Sequence, residues 1–410
     1  MKSKDIKIIL SILILIISLI VFKMLTTTTG QYVDITESGK YIGTFPLNSN
    51  KIIELSNNTV EISNGKVHML NANCPDKLCM HQGYINNENS SIICLPNQVV
   101  VTVCKPDDAL KASAFYFNTY IELTAYNCND ENILKNALDI CAKYEQICSR
   151  TSLDSELYKL NHRILPVYKK IDDINYYKIS DELYDMIKIG MRYSKESHGV
   201  FNIAIAPVTD LWDFTSGNNT IPSESAISSA LSYTSINDIY IKEGNLIGFA
   251  SDNNMIDLGG IAKGYVADVI KEYLKDNNVN MGIISLGHNI LCIGDKFGES
   301  FKIGIKKPFS DNDTITTLDI HDKSVVTSGI YERYFKVNDS IYHHILDSFT
   351  GYPVQNDLNS VTIISDTSTE GDILSTLLFS LGTEDAIKYD KEHDDIKVIL
   401  INRKNEIVKE

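Results

Sequence analysis

Seven short β-favouring runs, YVDIT, KYIGTFPL, KIIEL, TVEIS, KVHML, SIICL and VVVTV, crowd residues 31–105 and are separated by Gly, Asn and Ser. Runs of this length between such breakers read as strands, so this stretch is expected to be a small β-sandwich or barrel. Beyond it the pattern changes. Phe115 to Tyr126 reads as a strand, and residues 130–148 carry helical periodicity through Ile133, Leu134, Ala137, Leu138, Cys141 and Tyr144. A second helix is expected from the Ser180 N-cap to Gly199, and a third from Ile261 to Leu274, directly after a strand ending Ile256-Asp257-Leu258. Strands and helices alternate here in an α+β manner. The expected organisation is an N-terminal segment at 1–29, an all-β domain at 30–106, a linker at 107–114 and an α+β catalytic domain at 115–410.

Residues 8–22, IILSILILIISLIVF, form an apolar run preceded by Lys2, Lys4 and Lys7 and followed by Lys23. Fifteen residues are short for a span, which needs about 20. Lysines at both ends can snorkel, and Met24 and Leu25 extend the run. No small-x-small cleavage site follows, so an uncleaved transmembrane anchor is expected over a cleaved signal peptide. The basic N-terminal flank places residues 30 onward outside the cytoplasm, at the cell membrane. A length of 410 residues with 43% apolar composition suffices for two globular cores. A net charge of −15 without a basic run argues against nucleic acid as a partner.

Four of the eight cysteines, Cys74, Cys79, Cys94 and Cys104, fall in the β region. Cys74, Cys79, His81 and Cys94 offer metal-type ligands, yet their spacing is not a standard zinc pattern. Outside the cytoplasm a disulfide among the cysteines is the favoured expectation, with free buried thiols and a metal site as alternatives. Cys141 and Cys148 are seven residues apart in one helix, a rise of about 10 Å, and read as core thiols.

Two further features carry chemistry. Asp372 and Thr376 are four apart in a segment whose Ile373, Leu374, Leu377, Leu378 and Leu381 have helical spacing, so the carboxylate and the hydroxyl share a face. Two hard oxygens so placed suit a Mg2+ ion completed by a ligand's phosphates. Gly259 and Gly260 open the third helix, where free backbone N–H groups and the helix dipole make a seat for an anion. Taken alone, each has a plainer explanation, as a helix cap or as a turn that needs conformational freedom.

The ordered segments SRTSLDSELYKLN (149–161), SHGVFNIAIAPVTDLWDF (197–214), IDLGGIAKGYVADVI (256–270), SLGHNILCIG (285–294), VVTSGIYERYF (325–335) and HHILDSFTGYPV (343–354) resemble the ApbE family, the FAD:protein FMN transferases. The β region resembles NusG domain II through NTVEISNGKVHMLNANCPDKLCMHQGYI and SIICLPNQVVV, where a docking or spacer role is expected. The first resemblance implies a T-fold-like catalytic domain that moves FMN from FAD onto a threonine or serine of a partner, with Mg2+, releasing AMP. The implied partner is a flavin-carrying redox protein of a membrane electron-transfer system. It also implies roles: Asp257 and Lys263 on FAD; Gly260, Asp372, Ser375 and Thr376 around the metal; Val200, Phe201, Asn202 and Leu346 near the flavin, with Thr350 and Gly351 following; and His344 as the candidate general base.

Without the family, Phe201 and Leu346 read as core, Lys263 as a solvated lysine and Asp257 as a turn cap. Three positions depart from the family pattern. Asn202 replaces an aspartate, so weaker cofactor affinity is expected; His288 replaces a glycine and is expected to crowd the backbone; Thr151 stands where an aromatic is frequent. Asp372→Ala is expected to leave the fold intact. An FAD pyrophosphatase, a non-catalytic FAD-binding protein and an adaptor built around the β domain remain as alternative functions.

Overall fold

A computed structural model describes residues 30–409 apart from 39, 75–76, 89, 106–108, 129, 215–218, 311–312 and 339. The expected anchor at 8–22 lies outside the described residues, among which no helix is long and apolar enough to cross a membrane. The chain divides into two compact units, one ending at Asp108 and the other beginning at Ala109, with Lys296–Glu299 grouped with the first.

In the first unit all seven expected strands form. Lys40–Pro46, Tyr32–Glu37, Val99–Cys104 and Ser91–Cys94 make one antiparallel sheet, and Lys51–Glu54, Asn58–Ser63 and Lys66–Ala72 make another. Alternation explains the packing. Val33, Ile35, Val99 and Val101 of one sheet share a core with Val60, Ile62, Val67 and Met69 of the other. The unit departs from all-β by one short helix, Leu78–His81. Cys74, Cys79 and Cys94 are buried thiols rather than the expected disulfide, with the Cys74 and Cys79 sulfurs 3.9 Å apart; His81 is exposed and stands outside the group.

The second unit is built on an eight-stranded antiparallel sheet. In spatial order its strands are Ile407–Lys409, Lys397–Asn402, Leu358–Ser365, Ser324–Gly329, Asn289–Ile293, Gly282–Leu286, Thr119–Ala125 and Leu110–Tyr116. The last pair corrects the expected single strand from Phe115 and the expected linker to 114. Phe117 and Asn118 both take φ 54°, the two left-handed positions of a tight hairpin turn, so the chain reverses and 110–116 pairs with 119–125. The predicted helices appear at Glu131–Cys148, capped by Asp130, and at Asp181–Glu196, capped by Ser180. Cys141 and Cys148 are core thiols, as expected, and burial pushes both up to about 12.

Two helices set the centre of this unit. Ala262–Asp276 packs against Ser368–Leu381, which lies on the Ser324–Gly329 and Leu358–Ser365 strands. Their approach is close because Gly264 has no side chain: a Cβ there would lie 2.2 Å from the Ser368 carbonyl oxygen. Each helix also terminates the other. Asp268 accepts from the Ser368 and Thr369 backbone N–H groups, both at 2.8 Å, and Asp372 accepts from the Gly264 N–H at 3.0 Å. These are first-turn donors that have no partner within their own helix.

Gly264→Ala is therefore expected to destabilise the protein by about 1–3 kcal/mol through overpacking. The denaturant midpoint of the purified variant should fall; an unchanged midpoint would mean that the helices can move apart at no cost.

Candidate active site

Asp372 sits one turn inside its helix and is only 3% exposed. Its Oδ2 accepts from Gly264, and its Oδ1 lies 3.5 Å from the Lys263 ammonium. Lys263 is thus turned onto a buried carboxylate, not spread into solvent. Thr376 follows on the same face. Its Oγ1 is 3.2 Å from Ser328 Oγ and would be 3.6 Å from a Cβ at Gly260, while Phe201 Cε2 would be 3.1 Å from that Cβ. Gly260, Lys263, Asp372, Thr376 and Phe201 therefore converge. Ser375 is placed differently. Its fully buried hydroxyl donates to the Asp372 backbone carbonyl at 3.0 Å and shares a 2.8 Å bond with Ser328, which suits holding the helix on the sheet rather than binding a metal. The expectation that Asp372→Ala spares the fold is also corrected, because this carboxylate satisfies a helix N-terminus from a buried position.

The glycine turn is organised by Asp257. Its Oδ1 accepts from Gly259 N–H at 2.8 Å, and its Oδ2 lies 3.4 Å from Arg150 Nε, whose guanidinium also pairs with Asp210. The Asp257 N–H donates to the Ile203 carbonyl at 2.7 Å, tying the turn to the Val200–Asn202 segment. Asn202 is committed at both ends of its amide: the oxygen accepts from Ala204 N–H at 2.9 Å and the nitrogen donates to the Thr234 carbonyl at 2.9 Å. An aspartate could make the first bond but not the second. Weaker cofactor affinity therefore does not follow from this substitution, since the amide holds the turn. Val200 and Phe201 pack on the main core, Phe201 at 6% exposure.

His344 follows the strand Ser340–His343. Its Nδ1 is 3.3 Å from the Arg333 carbonyl, and its backbone N–H donates to the same oxygen. Burial, softened where the ring still meets solvent, holds its pKa below the ordinary imidazole value; Arg333 and Lys263 add to this, and Glu332 opposes it. Its neighbour His343 is buried with Nε2 on the Val354 carbonyl at 3.0 Å, and burial lowers it to about 3. Leu346 packs in a separate cluster with Trp212 and Phe335. The Trp212 indole donates to the Gly351 carbonyl at 2.7 Å, and Ser348 donates to the Gly199 carbonyl, so the His344 loop is fastened to the 197–202 turn.

Sequence reasoning missed three participants. Glu332 is enclosed beside His288, whose Nδ1 lies 3.4 Å away; burial alone would raise the Glu332 pKa, but His288, His344 and Lys263 bring it below the usual range. His288 therefore faces a carboxylate instead of crowding the backbone, because Gly287 takes the left-handed position before it, at φ 68°. Arg150 and Ser328 were missed as well. Glu332, Arg150 and Ser328 lie within the quoted family segments, and a polar residue on a strand or turn carries no signal of its partner. A cleft of about 660 Å3, lined by residues that include Arg163, Pro207, Tyr233 and Asp252, contains none of the convergent residues.

The ApbE family model matches residues 117–400, and the NusG domain II model matches 8–107. Among curated relatives, a FAD:protein FMN transferase of Klebsiella pneumoniae is 33% identical over 300 residues, covering 72% of this chain and 90% of that protein. One from Treponema pallidum is 28% identical, covering 65% and 76%. The ApbE protein of Thermotoga maritima superposes with a TM-score of 0.67 at 28% identity, over 74% of this chain and 97% of that one. The flavin transferase ApbE of Vibrio cholerae, at 22% identity and TM-score 0.63 over 73% and 95%, is alike in fold.

Glu332→Gln is expected to lower the pKa of His344 further, since the carboxylate is what pulls it up. Histidine ring-proton NMR titration reads this directly; an unmoved His344 midpoint would remove Glu332 from its environment.

Proposed function

The chain belongs to the ApbE family, and from that we propose that it is an FAD:protein FMN transferase that attaches FMN to a threonine or serine of an extracytoplasmic redox flavoprotein and releases AMP. The observation that carries this reading is the convergence of Asp372, Lys263, Thr376 and Gly260 at the N-terminus of one helix. A buried carboxylate, a hydroxyl and a backbone carbonyl form an all-oxygen donor set, which fits Mg2+. We assign Asp372, Thr376 and the Gly260 carbonyl to it, with Ser375 in support through Ser328. Bound there, a divalent cation would neutralise charge on the pyrophosphate of FAD.

The residues of the chain account for the other requirements. The Lys263 ammonium adds positive charge where the phosphates would lie. Asp257 and Arg150 hold the glycine turn, and the family resemblance assigns Val200, Phe201, Asn202 and Leu346 to the flavin. The acceptor hydroxyl attacks the FMN-side phosphorus, a new P–O bond forms, the pyrophosphate P–O bond breaks and AMP leaves. His344 takes the hydroxyl proton. A lowered pKa keeps this imidazole neutral, hence able to accept, to more acidic pH than usual.

Two consequences follow for kinetics. The acid limb of the transfer rate should lie below pH about 6.5, the ordinary imidazole value, and His344→Ala should cost about 100-fold or more and abolish that limb. A limb at or above the ordinary value, or an unchanged rate, would take His344 out of the chemistry. Asp372→Asn, which keeps shape and an acceptor oxygen, should lose transfer at every Mg2+ concentration while far-UV circular dichroism stays native; full activity at high Mg2+ would sink the metal assignment.

The decisive measurement incubates the purified protein with FAD, Mg2+ and a flavin-carrier redox domain, then reads acceptor mass and free AMP. The expected result is an acceptor heavier by FMN less water, with one AMP for each modification. Free FMN and AMP beside an unmodified but competent acceptor would instead establish a pyrophosphatase. The lysine-flanked apolar run at 8–22 supports a site of action at the outer face of the membrane, and protease added to cells with open walls and intact membranes should digest the catalytic unit.

A further inference from the structure

The transferase reading leaves a three-cysteine cluster in the first unit unused. Cys74 lies in the loop after the Lys66–Ala72 strand, Cys79 on the Leu78–His81 helix and Cys94 at the end of the Ser91–Cys94 strand. They are 6%, 1% and 2% exposed, and their sulfurs lie within 4.8 Å of one another. We propose that Cys74, Cys79 and Cys94 bind one soft d10 cation of the Zn2+ class as three thiolates, leaving a fourth position for water or another small ligand.

Three observations favour a cation over a disulfide. The first is spacing. Sulfurs around a tetrahedral Zn2+, at about 2.3 Å each, stand about 3.8 Å apart, and Cys74 and Cys79 are 3.9 Å apart. A disulfide would contract one pair to about 2.05 Å and leave the third buried thiol outside the bond. The second is the set of donors. Asn97 Nδ2 donates to Asn58 Oδ1 at 2.7 Å, which fixes the Asn58 amide so that its Nδ2 faces sulfur, 3.2 Å from Met69 Sδ and with Cys94 within its electrostatic reach. The Asn97 backbone lies within the same reach of Cys94. N–H groups aimed at a sulfur stabilise a thiolate and orient a ligand; a disulfide sulfur has no charge for them to meet.

The third is the helix that carries Cys79. At four residues it is far below the length that supports itself, and it begins at Lys77 in a left-handed conformation, φ 49°, without a side-chain cap. A cation shared with Cys74 and Cys94 would fasten it to the sheet edges. Binding replaces up to three thiol protons, which pass to solvent, and gives a site of net charge −1 with Zn2+.

The test adds Co2+ to the reduced, metal-stripped full chain and records its absorption. One equivalent should give a sulfur-to-metal charge-transfer band and intense tetrahedral visible bands, both bleached by Zn2+. Cys94→Ser should lose them, whereas Cys104→Ser, outside the cluster, should retain them. Elemental analysis of protein purified without chelator gives a readout that no variant's folding affects, and about one Zn2+ per chain is expected. Absent Co2+ bands in fully reduced wild-type protein would overturn the proposal. So would native protein that holds no metal and whose peptides show Cys74 linked to Cys79.

Discussion

The exchange of carboxylates between the Ala262–Asp276 and Ser368–Leu381 helices is the constraint on which the catalytic unit depends. Asp268 caps one N-terminus and Asp372 the other, and these bonds exist only because Gly264 lets the Ser368 backbone approach. A helix N-terminus concentrates unpaired donors and a positive dipole end. Bringing two of them together with their acids makes a compact buried region in which each acid meets first-turn N–H groups of the opposite helix. Truncating either acid to alanine removes its hydrogen bonds and leaves donors stranded, a larger loss than the bonds alone.

The same geometry positions the candidate site. Gly260 lies just before the Ile261 N-cap of one of these helices, Lys263 lies in its first turn, and Asp372 and Thr376 are on the other. The groups that would meet phosphates and cation are thus carried by rigid elements whose separation is fixed by backbone contact. The histidine loop is held by a different device, through Trp212 on Gly351 and Ser348 on Gly199. Lys263 pairs with Asp372 and also acts electrostatically on Glu332, which faces His344 and His288.

The departures from the family pattern show how a site absorbs substitution. Asn202 gives up charge but gains a donor that the Thr234 carbonyl uses, and His288 finds Glu332. In both cases the partner lies far along the chain, 32 residues away for Thr234. A reading of local chemistry saw only what the replaced residue would lose.

Local patterning determined much by itself. The seven strands of the first unit, the Asp130- and Ser180-capped helices and the helical face shared by Asp372 and Thr376 follow from periodicity and caps, which act within a few residues. The ordered motifs likewise sufficed to identify the family. Tertiary structure decided the rest: that Phe117 and Asn118 break one apparent strand into a hairpin, that Asp372 is a buried helix cap, that Ser375 faces the sheet, and that Cys94 meets Cys74 and Cys79. These outcomes depend on long-range contacts and on which side of a buried surface a polar atom ends, and a single sequence encodes neither in its local spacing.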